Sequence, residues 1–132
     1  MRKIEKVLTA NDLGMTGSHQ AGICVPKQKE ILDFFPKLDV SIKNPRTTMT
    51  FVDEFKAKWA FNFIYYNNKH FGGTRNEFRL TGMTKYMNQM GLKPDDILEM
   101  SLLDGRYHIN VRNKAKVENK IIELSTKWKI VS

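Results

Sequence analysis

Apolar and polar positions alternate most cleanly between Lys58 and Tyr66. Trp59, Phe61, Phe63 and Tyr65 fall on one side of a two-residue repeat, with Ala60, Asn62 and Ile64 on the other. That pattern predicts a strand with one aromatic face. Such rings can serve as a base-stacking platform, but a packed core accounts for them more simply, because aromatics dominate core burial. Thr47 to Val52 predicts another strand, Met49 and Phe51 alternating with Thr48, Thr50 and Val52. Shorter strands are expected around Ile4, Val7 and Leu8, at Ile23-Cys24-Val25, over Thr74 to Thr81 and from Ile97 to Leu103. Asp104-Gly105 is a hairpin signal that returns the chain as Tyr107 to Arg112. Lys27 to Phe35 carries Ile31, Phe34 and Phe35 at helical spacing between Pro26 and Pro36, and predicts a helix lying over the core. Met83 to Met90 predicts a second helix of about two turns, ended by Gly91. Ile121 to Leu124 and Trp128 to Val131 fit one or two terminal strands, or a helix and then a strand. The sum is a mainly β chain with two short helices and about seven short strands, which close best as a barrel or pseudobarrel.

Composition narrows the partner. The chain has 132 residues, enough for one domain with a core of its own, and 41% of them are hydrophobic. Twenty-two Lys and Arg against 14 Asp and Glu leave a net charge of +8. That excess favours a polyanion, nucleic acid first and an anionic membrane surface second. No stretch is long and apolar enough to span a bilayer, and no signal-peptide pattern is present. Cys24 is the single cysteine. It excludes an internal disulfide and a multi-cysteine zinc site, fits a reducing cytoplasmic compartment, and is expected to pack as a small buried residue. His19, His70 and His108 are far apart and form no metal-ligand pair, so no metal or cofactor is expected.

The most informative stretch is Thr74-Arg75-Asn76-Glu77-Phe78-Arg79-Leu80-Thr81. On a strand, Arg75, Glu77 and Arg79 project together while Phe78 and Leu80 point the other way. Residues two apart on a strand are spaced by about 6.6 Å, close to two base-pair steps of about 3.4 Å each. Arg pairs bidentately with guanine, and Glu accepts from the cytosine amino group. The plainer reading is a surface ion cluster of little energetic weight. A second loop, Asn11 to Gly22, contains Gly14, Gly17 and Gly22 and carries Asp12, His19 and Gln20. Gln20 and Asn76 can pair with adenine, and His19 can donate to guanine or phosphate. Lys69, Lys3 and Lys6 read as phosphate contacts or as solvated surface. An enzyme reading rests on Glu54-x-Lys56, the tail of a metal-nuclease pattern, but its upstream acid is missing, since Asp39 reads as loop. A charged turn between two strands is the better account of Asp53 to Lys56, because the partner acid is missing. A third reading is a non-specific basic nucleic-acid binder.

Thr9-Ala10-Asn11-Asp12-x-Gly14-x-Thr16-Gly17-x-His19-Gln20-x-Gly22 resembles the N-terminal arm of the effector-binding domain of EcoRII-type restriction endonucleases. Tyr65-Tyr66-Asn67-x-x-His70-Phe71-Gly72-x-Thr74-Arg75-Asn76-Glu77-x-Arg79-x-Thr81 resembles the C-terminal arm of the same domain. The resemblance runs over about residues 1 to 125 and is weaker outside the arms and the stretch Leu92 to Gly105. It implies the DNA-binding pseudobarrel shared with plant B3-type transcription factors, and a wrench-like grip on double-stranded DNA with both arms in the major groove. His19, with Asp12 and Gln20, would read bases from the first arm; Arg75, Glu77 and Arg79 would read them from the second. The implied target is like 5′-CCWGG, and the implied role is that of a non-catalytic recognition module, either part of a longer type II restriction enzyme or standing alone. The pattern departs from the family at Gly73 and Phe78, where the relative has lysines, and at Cys24, where it has tyrosine.

Overall fold

Phe61 and Phe63, each 1% exposed, sit in the middle of the longest strand, and the sheet wraps around them. The computed structural model describes residues 2–15, 22–67, 76–112 and 128–131. Among these, the chain forms β1 (Arg2–Val7), β2 (Gly22–Val25), α1 (Lys29–Leu32), β3 (Arg46–Val52), β4 (Lys58–Tyr66), β5 (Glu77–Thr81), α2 (Thr84–Gln89), β6 (Ile97–Leu103), β7 (Arg106–Arg112) and β8 (Trp128–Val131). They make one sheet in the order β2-β5-β4-β3-β7-β6-β1-β8. Every neighbouring pair is antiparallel except β3 and β7, which run parallel through Phe51–Tyr107 and Val52–His108.

The sheet is curled. In a flat sheet β1 and β4, four positions apart in that order, would lie roughly 19 Å from each other at about 4.8 Å per strand. Ile4 of β1 and Phe61 of β4 nonetheless belong to one buried cluster. The helices cover this core. Ile31 of α1 is fully buried, and Phe34 and Phe35 follow it inward. Phe34 meets Tyr107 edge-on, while Phe35 stacks on Phe63 at 4.6 Å between ring centroids. Tyr86 of α2 meets Trp59 and Phe61 edge-on, and burial drives its phenol well above the ordinary range.

The expected strands and helices are present, with instructive differences. There are eight described strands rather than seven. The extra one is β8, which pairs with β1 and buries Trp128 at 1% exposure; Ile121 to Leu124 lie outside the described residues. Helix α1 is shorter than the expected Lys27 to Phe35. Past Leu32 the backbone tightens to three-residue turns, Phe34 N–H to Ile31 and Phe35 N–H to Leu32. Two adjacent phenylalanines thereby reach different partners before Pro36, which has no N–H to donate. Asp104 and Gly105 both have positive φ, as the tight hairpin requires.

Cys24 corrects an expectation. It is exposed rather than packed inside. Ile-Cys-Val reads as an apolar triplet, but β2 keeps strict alternation, so Ile23 and Val25 enter the core and Cys24 faces out. The Asp53 to Lys56 segment is a tight turn joining β3 and β4. Asp53 Oδ1 accepts from the Phe55 and Ala57 amides, both at 2.8 Å, and Oδ2 accepts from the Trp59 indole at 2.9 Å. The Trp59 bond, then the backbone bonds, hold the Asp53 carboxyl below its usual range. Glu54 and Lys56 stand on the outside of that turn, both exposed.

Gly22 lies close against β5. A Cβ there would lie 2.9 Å from the Leu80 carbonyl oxygen. Gly22→Ala is expected to cost about 1–3 kcal/mol through overpacking against backbone. Urea unfolding measures it, and an unchanged midpoint would mean that β2 and β5 separate freely at this end.

Candidate nucleic-acid interface

The β2–β5 pairing carries the site. Gly22 pairs with Thr81, and Val25 pairs with Phe78. The chain before Gly22 therefore joins the sheet at the far end of β5, and the chain before Glu77 joins at the near end. Glu77 to Thr81 spans four steps of about 3.4 Å, roughly 14 Å, comparable with the major-groove width of about 12 Å. The two expected arms thus spring from opposite ends of one strand.

A buried polar knot forms the root of the first arm. Asp12 Oδ2 accepts from Thr9 N–H at 2.9 Å and from Lys6 Nζ at 3.0 Å, and Thr9 Oγ1 accepts from Asp12 N–H at 3.2 Å. The Asp12 carbonyl then accepts from Gly22 N–H at 2.9 Å, so the loop's two ends meet. Lys6 also donates to the Val7 carbonyl at 3.1 Å. Both charged residues are 6% exposed. A lysine and a carboxylate that far from water need each other and their extra hydrogen bonds. The structure thus places Asp12, a candidate base reader, with its carboxylate turned inward at the arm's base. His19 and Gln20 lie outside the described residues.

A different device roots the second arm. Tyr66 pairs with Glu77 at the last step of the β4–β5 ladder. Beyond it Asn67, 2% exposed, donates to the carbonyls of Ile42 at 2.7 Å and Val40 at 3.2 Å and accepts from Asn44 N–H at 2.7 Å. One amide therefore ties the arm's entry to the 40–44 loop. The sequence places Asn67 at the start of the second arm, and its anchoring role is not visible there, because its three partners lie 23 to 27 residues away. Lys69 and Arg75 lie outside the described residues. Asn76 is described, exposed and just ahead of β5.

Between the two roots, β5 turns Glu77 and Arg79 to its outer face. Phe78 turns inward and stacks on Tyr65 at 4.2 Å and Phe63 at 5.6 Å, the alternation expected of this segment. Arg79 Nη1 is 3.7 Å from Glu77 Oε2, and Nη2 donates to the Gly22 carbonyl at 3.5 Å. Cys24, directly across from Arg79, donates from Sγ to Glu77 Oε2 at 3.5 Å. Partial burial, and then the Glu77 carboxylate beside it, push the Cys24 thiol above its ordinary range and keep it a donor. The Arg79 and Glu77 side chains retain 19% and 31% exposure. Their long contact is of the kind that contributes little, and a guanidinium fork and a carboxylate stand side by side on this face. Their natural complements are guanine and the cytosine amino group. Among the described residues no three His, Cys, Asp or Glu side chains gather as a metal site, and no helix is long and apolar enough to cross a membrane.

Comparison with known proteins places these features in a family. Residues 3–110 match the family model described as restriction endonuclease EcoRII, N-terminal. Over 79 residues the chain is 39% identical to the type II restriction enzyme EcoRII of Escherichia coli, a match covering 58% of this chain and 19% of that enzyme. The chain therefore corresponds to about a fifth of the relative's length. Among solved structures it resembles the Arabidopsis FUS3–DNA complex, with a TM-score of 0.64 at 21% identity, over 83% of this chain and 94% of that one. It also resembles the Arabidopsis thaliana transcription factor LEC2–DNA complex, with a TM-score of 0.61 at 19% identity, over 89% and 96% of the two chains.

The inward Asp12–Lys6 pair generates a test. Asp12→Ala leaves a buried lysine without its counter-charge and is expected to cost about 3–5 kcal/mol of stability. The double change Asp12→Leu with Lys6→Met removes both charges and should restore most of it. A loss below about 1 kcal/mol for Asp12→Ala, the scale of an exposed pair, would refute the buried-knot account.

Proposed function

This chain belongs to the family of EcoRII N-terminal restriction endonuclease domains, and from that premise we propose that it binds double-stranded DNA sequence-specifically through the major groove. The carrying observation is the Glu77–Arg79 pair, presented on the outer face of β5 between the roots of two arms. Arg79 and Arg75 read guanines, and Glu77 reads a cytosine amino group, from one side of the target. His19 and Gln20 read from the other arm, and Asn76 is a further base reader beside Glu77. Asp12 acts at the root, holding the first arm's ends together through Gly22, and not on a base. Lys69 and the chain's excess of positive charge neutralise phosphates, which supplies most of the affinity without sequence information.

In this reading residues 1–132 are the recognition module of a longer type II restriction enzyme acting in the cytoplasm. The module itself performs no catalysis and takes no cofactor; cleavage belongs to a nuclease domain elsewhere in the longer chain. The family resemblance implies a site like 5′-CCWGG, and two arginines and a glutamate agree with such a G·C-rich sequence. The metal-nuclease alternative built on Glu54 and Lys56 loses support, since both stand exposed on the outside of a tight turn that Asp53 closes. A non-specific binder remains the rival that experiment separates.

Fluorescence anisotropy at one fixed salt concentration makes that separation. Preference for a CCWGG duplex over a scrambled one is expected to reach about a thousandfold; equal affinities would leave a non-specific role. Arg75→Ala is expected to cost about 1–3 kcal/mol on the target and to relax discrimination at one base pair. Equal losses on target and random DNA would remove Arg75 from readout. Lys69→Ala should weaken binding to every duplex alike and flatten the salt dependence by about one phosphate contact. A sequence-dependent loss would contradict the assignment of Lys69 to phosphate.

A further inference from the structure

The outward face that presents Glu77 and Arg79 does not stop at β5. Strand register carries it across β4 onto β3 in two rows. Arg79 lies beside Ile64, and Ile64 beside Arg46. Thr81 lies beside Asn62, and Asn62 beside Thr48. Arg46, Thr48 and Asn62 are all exposed. Ile64 alternates with the inward Phe63 and stands apart from the core cluster, so the position between the two arginines carries no counter-charge. Thr48 Oγ1 donates to Asn62 Oδ1 at 3.1 Å, which leaves the Asn62 amide NH2 as a donor. Arg46 Nε donates to the Asn44 carbonyl at 3.4 Å, and Asn44 N–H donates to Asn67. The Arg46 guanidinium is thereby tied to the root of the second arm.

Charge and spacing say what this face fits. The charged residues facing outward on β3, β4 and β5 are Arg46, Lys58 and Arg79 against the single carboxylate of Glu77. The other half of the sheet differs, since β1 and β6 carry Glu5 and Glu99 there, with Arg112 and Lys3 already engaged on them. Arginine, hydroxyl and amide donors are the set that binds phosphate oxygens. β5 and β3 each lie one strand spacing from β4, so Arg46 stands roughly 10 Å from Arg79. A guanidinium that far from one inserted in a groove about 12 Å wide meets the phosphates of its wall, not the bases. On the other side of β5 the described sheet ends after one strand, at β2. We propose that the outer face of β4 and β3 carries one backbone strand of the bound duplex, with Arg46 on one phosphate and the Asn62 amide on a neighbouring one. The proposal rests on the DNA-binding reading and deepens it: β5 and the arms read bases, and this face fixes the duplex over them from one side.

The test uses the whole chain and a duplex carrying one neutral methylphosphonate at a time, scanned through the site and its flanks. Arg46→Ala should weaken binding to target and random duplexes alike by about tenfold, the scale of one charge-assisted hydrogen bond. It should also lower the salt slope by about one phosphate contact. One methylphosphonate position that weakens the wild-type chain should cost Arg46→Ala nothing further. Asn62→Ala should lose its sensitivity at a neighbouring position of the same DNA strand. Arg46→Lys keeps the charge and should restore the salt slope. Lys37→Ala takes the same charge from a side chain 93% exposed beyond α1, and should leave the methylphosphonate map unchanged. If the wild-type chain prefers its target but Arg46→Ala keeps full affinity, keeps the full map, or matches Lys37→Ala, the surface proposal falls and the DNA-binding reading stands. If the wild-type chain binds every duplex alike and Arg46→Ala weakens them all while Lys37→Ala does not, sequence-specific reading falls and the surface stands. If it binds no duplex, both fall.

Discussion

The core, and not the hydrogen-bond ladder, holds the two halves of this sheet together. Among the described residues, β2-β5-β4-β3 and β7-β6-β1-β8 meet through two parallel residue pairs, Phe51–Tyr107 and Val52–His108. Such a seam is too short to orient two four-stranded sheets. The rings that cross it do so instead: Phe51 packs on Tyr107 at 5.2 Å, and the Tyr107 hydroxyl donates to the Phe34 carbonyl at 2.9 Å. Phe34 in turn packs on Tyr107 and Phe35, and Phe35 on Phe63. The curl that brings β1 near β4 is thus set by aromatic packing around one centre, and the positions of the two arm roots follow from it.

The arms are anchored differently from the barrel. Apolar burial closes the body, whereas the arm roots are closed by buried polar groups with directional partners. Asp12 with Lys6, and Asn67 with the 40–44 backbone, meet the demand that a buried polar group be hydrogen-bonded. Directional anchors suit this task. They hold an exit vector at a defined angle, while an apolar contact of the same size tolerates sliding. A third polar cluster lies away from the arms, on β1, β6 and β7. Glu5 and Glu99 face each other across β1 and β6, with Arg112 reaching both at 2.6 and 2.8 Å and Lys3 reaching Glu99 at 3.3 Å. Burial raises the Glu5 carboxyl. It would raise Glu99 too, but the bond from Glu5 and the charges of Arg112 and Lys3 outweigh it and hold Glu99 low. This pairing leaves one acid readily ionised and the other reluctant, so two carboxyls can share a buried strip of sheet.

Period-two alternation carried most of the fold. β4 begins and ends at the residues its pattern marks, and the inward turn of Phe78 follows from the same rule. The chain's ends were harder to read. Trp128 to Val131 becomes a strand because β1 offers an open edge and a place for the indole, and neither is written locally. Cys24 misled because side-chain character was weighed ahead of strand alternation. Asp12 and Asn67 both lie in polar stretches that carry no local sign of an anchor. Polar residues in Gly- or Asn-rich loops suggest solvent or ligand contact, yet both are buried anchors whose partners are brought together only by folding.

Alternation along each strand, the turn residues and the arm motifs were sufficient by themselves to set the element types from β1 to β7, the pseudobarrel class, the outward pairing of Glu77 with Arg79 and the family. These depend on neighbours a few residues apart, or on a run of residue identities, and both survive in a linear string. Tertiary structure alone decided which carboxylate faces out and which is locked inside, that one amide ties the second arm to a distant loop, and that Arg46 shares an outward row with Arg79. Each of these joins residues tens of positions apart, and the register of curled strands, which brings them within bonding distance, is not fixed until the core has packed.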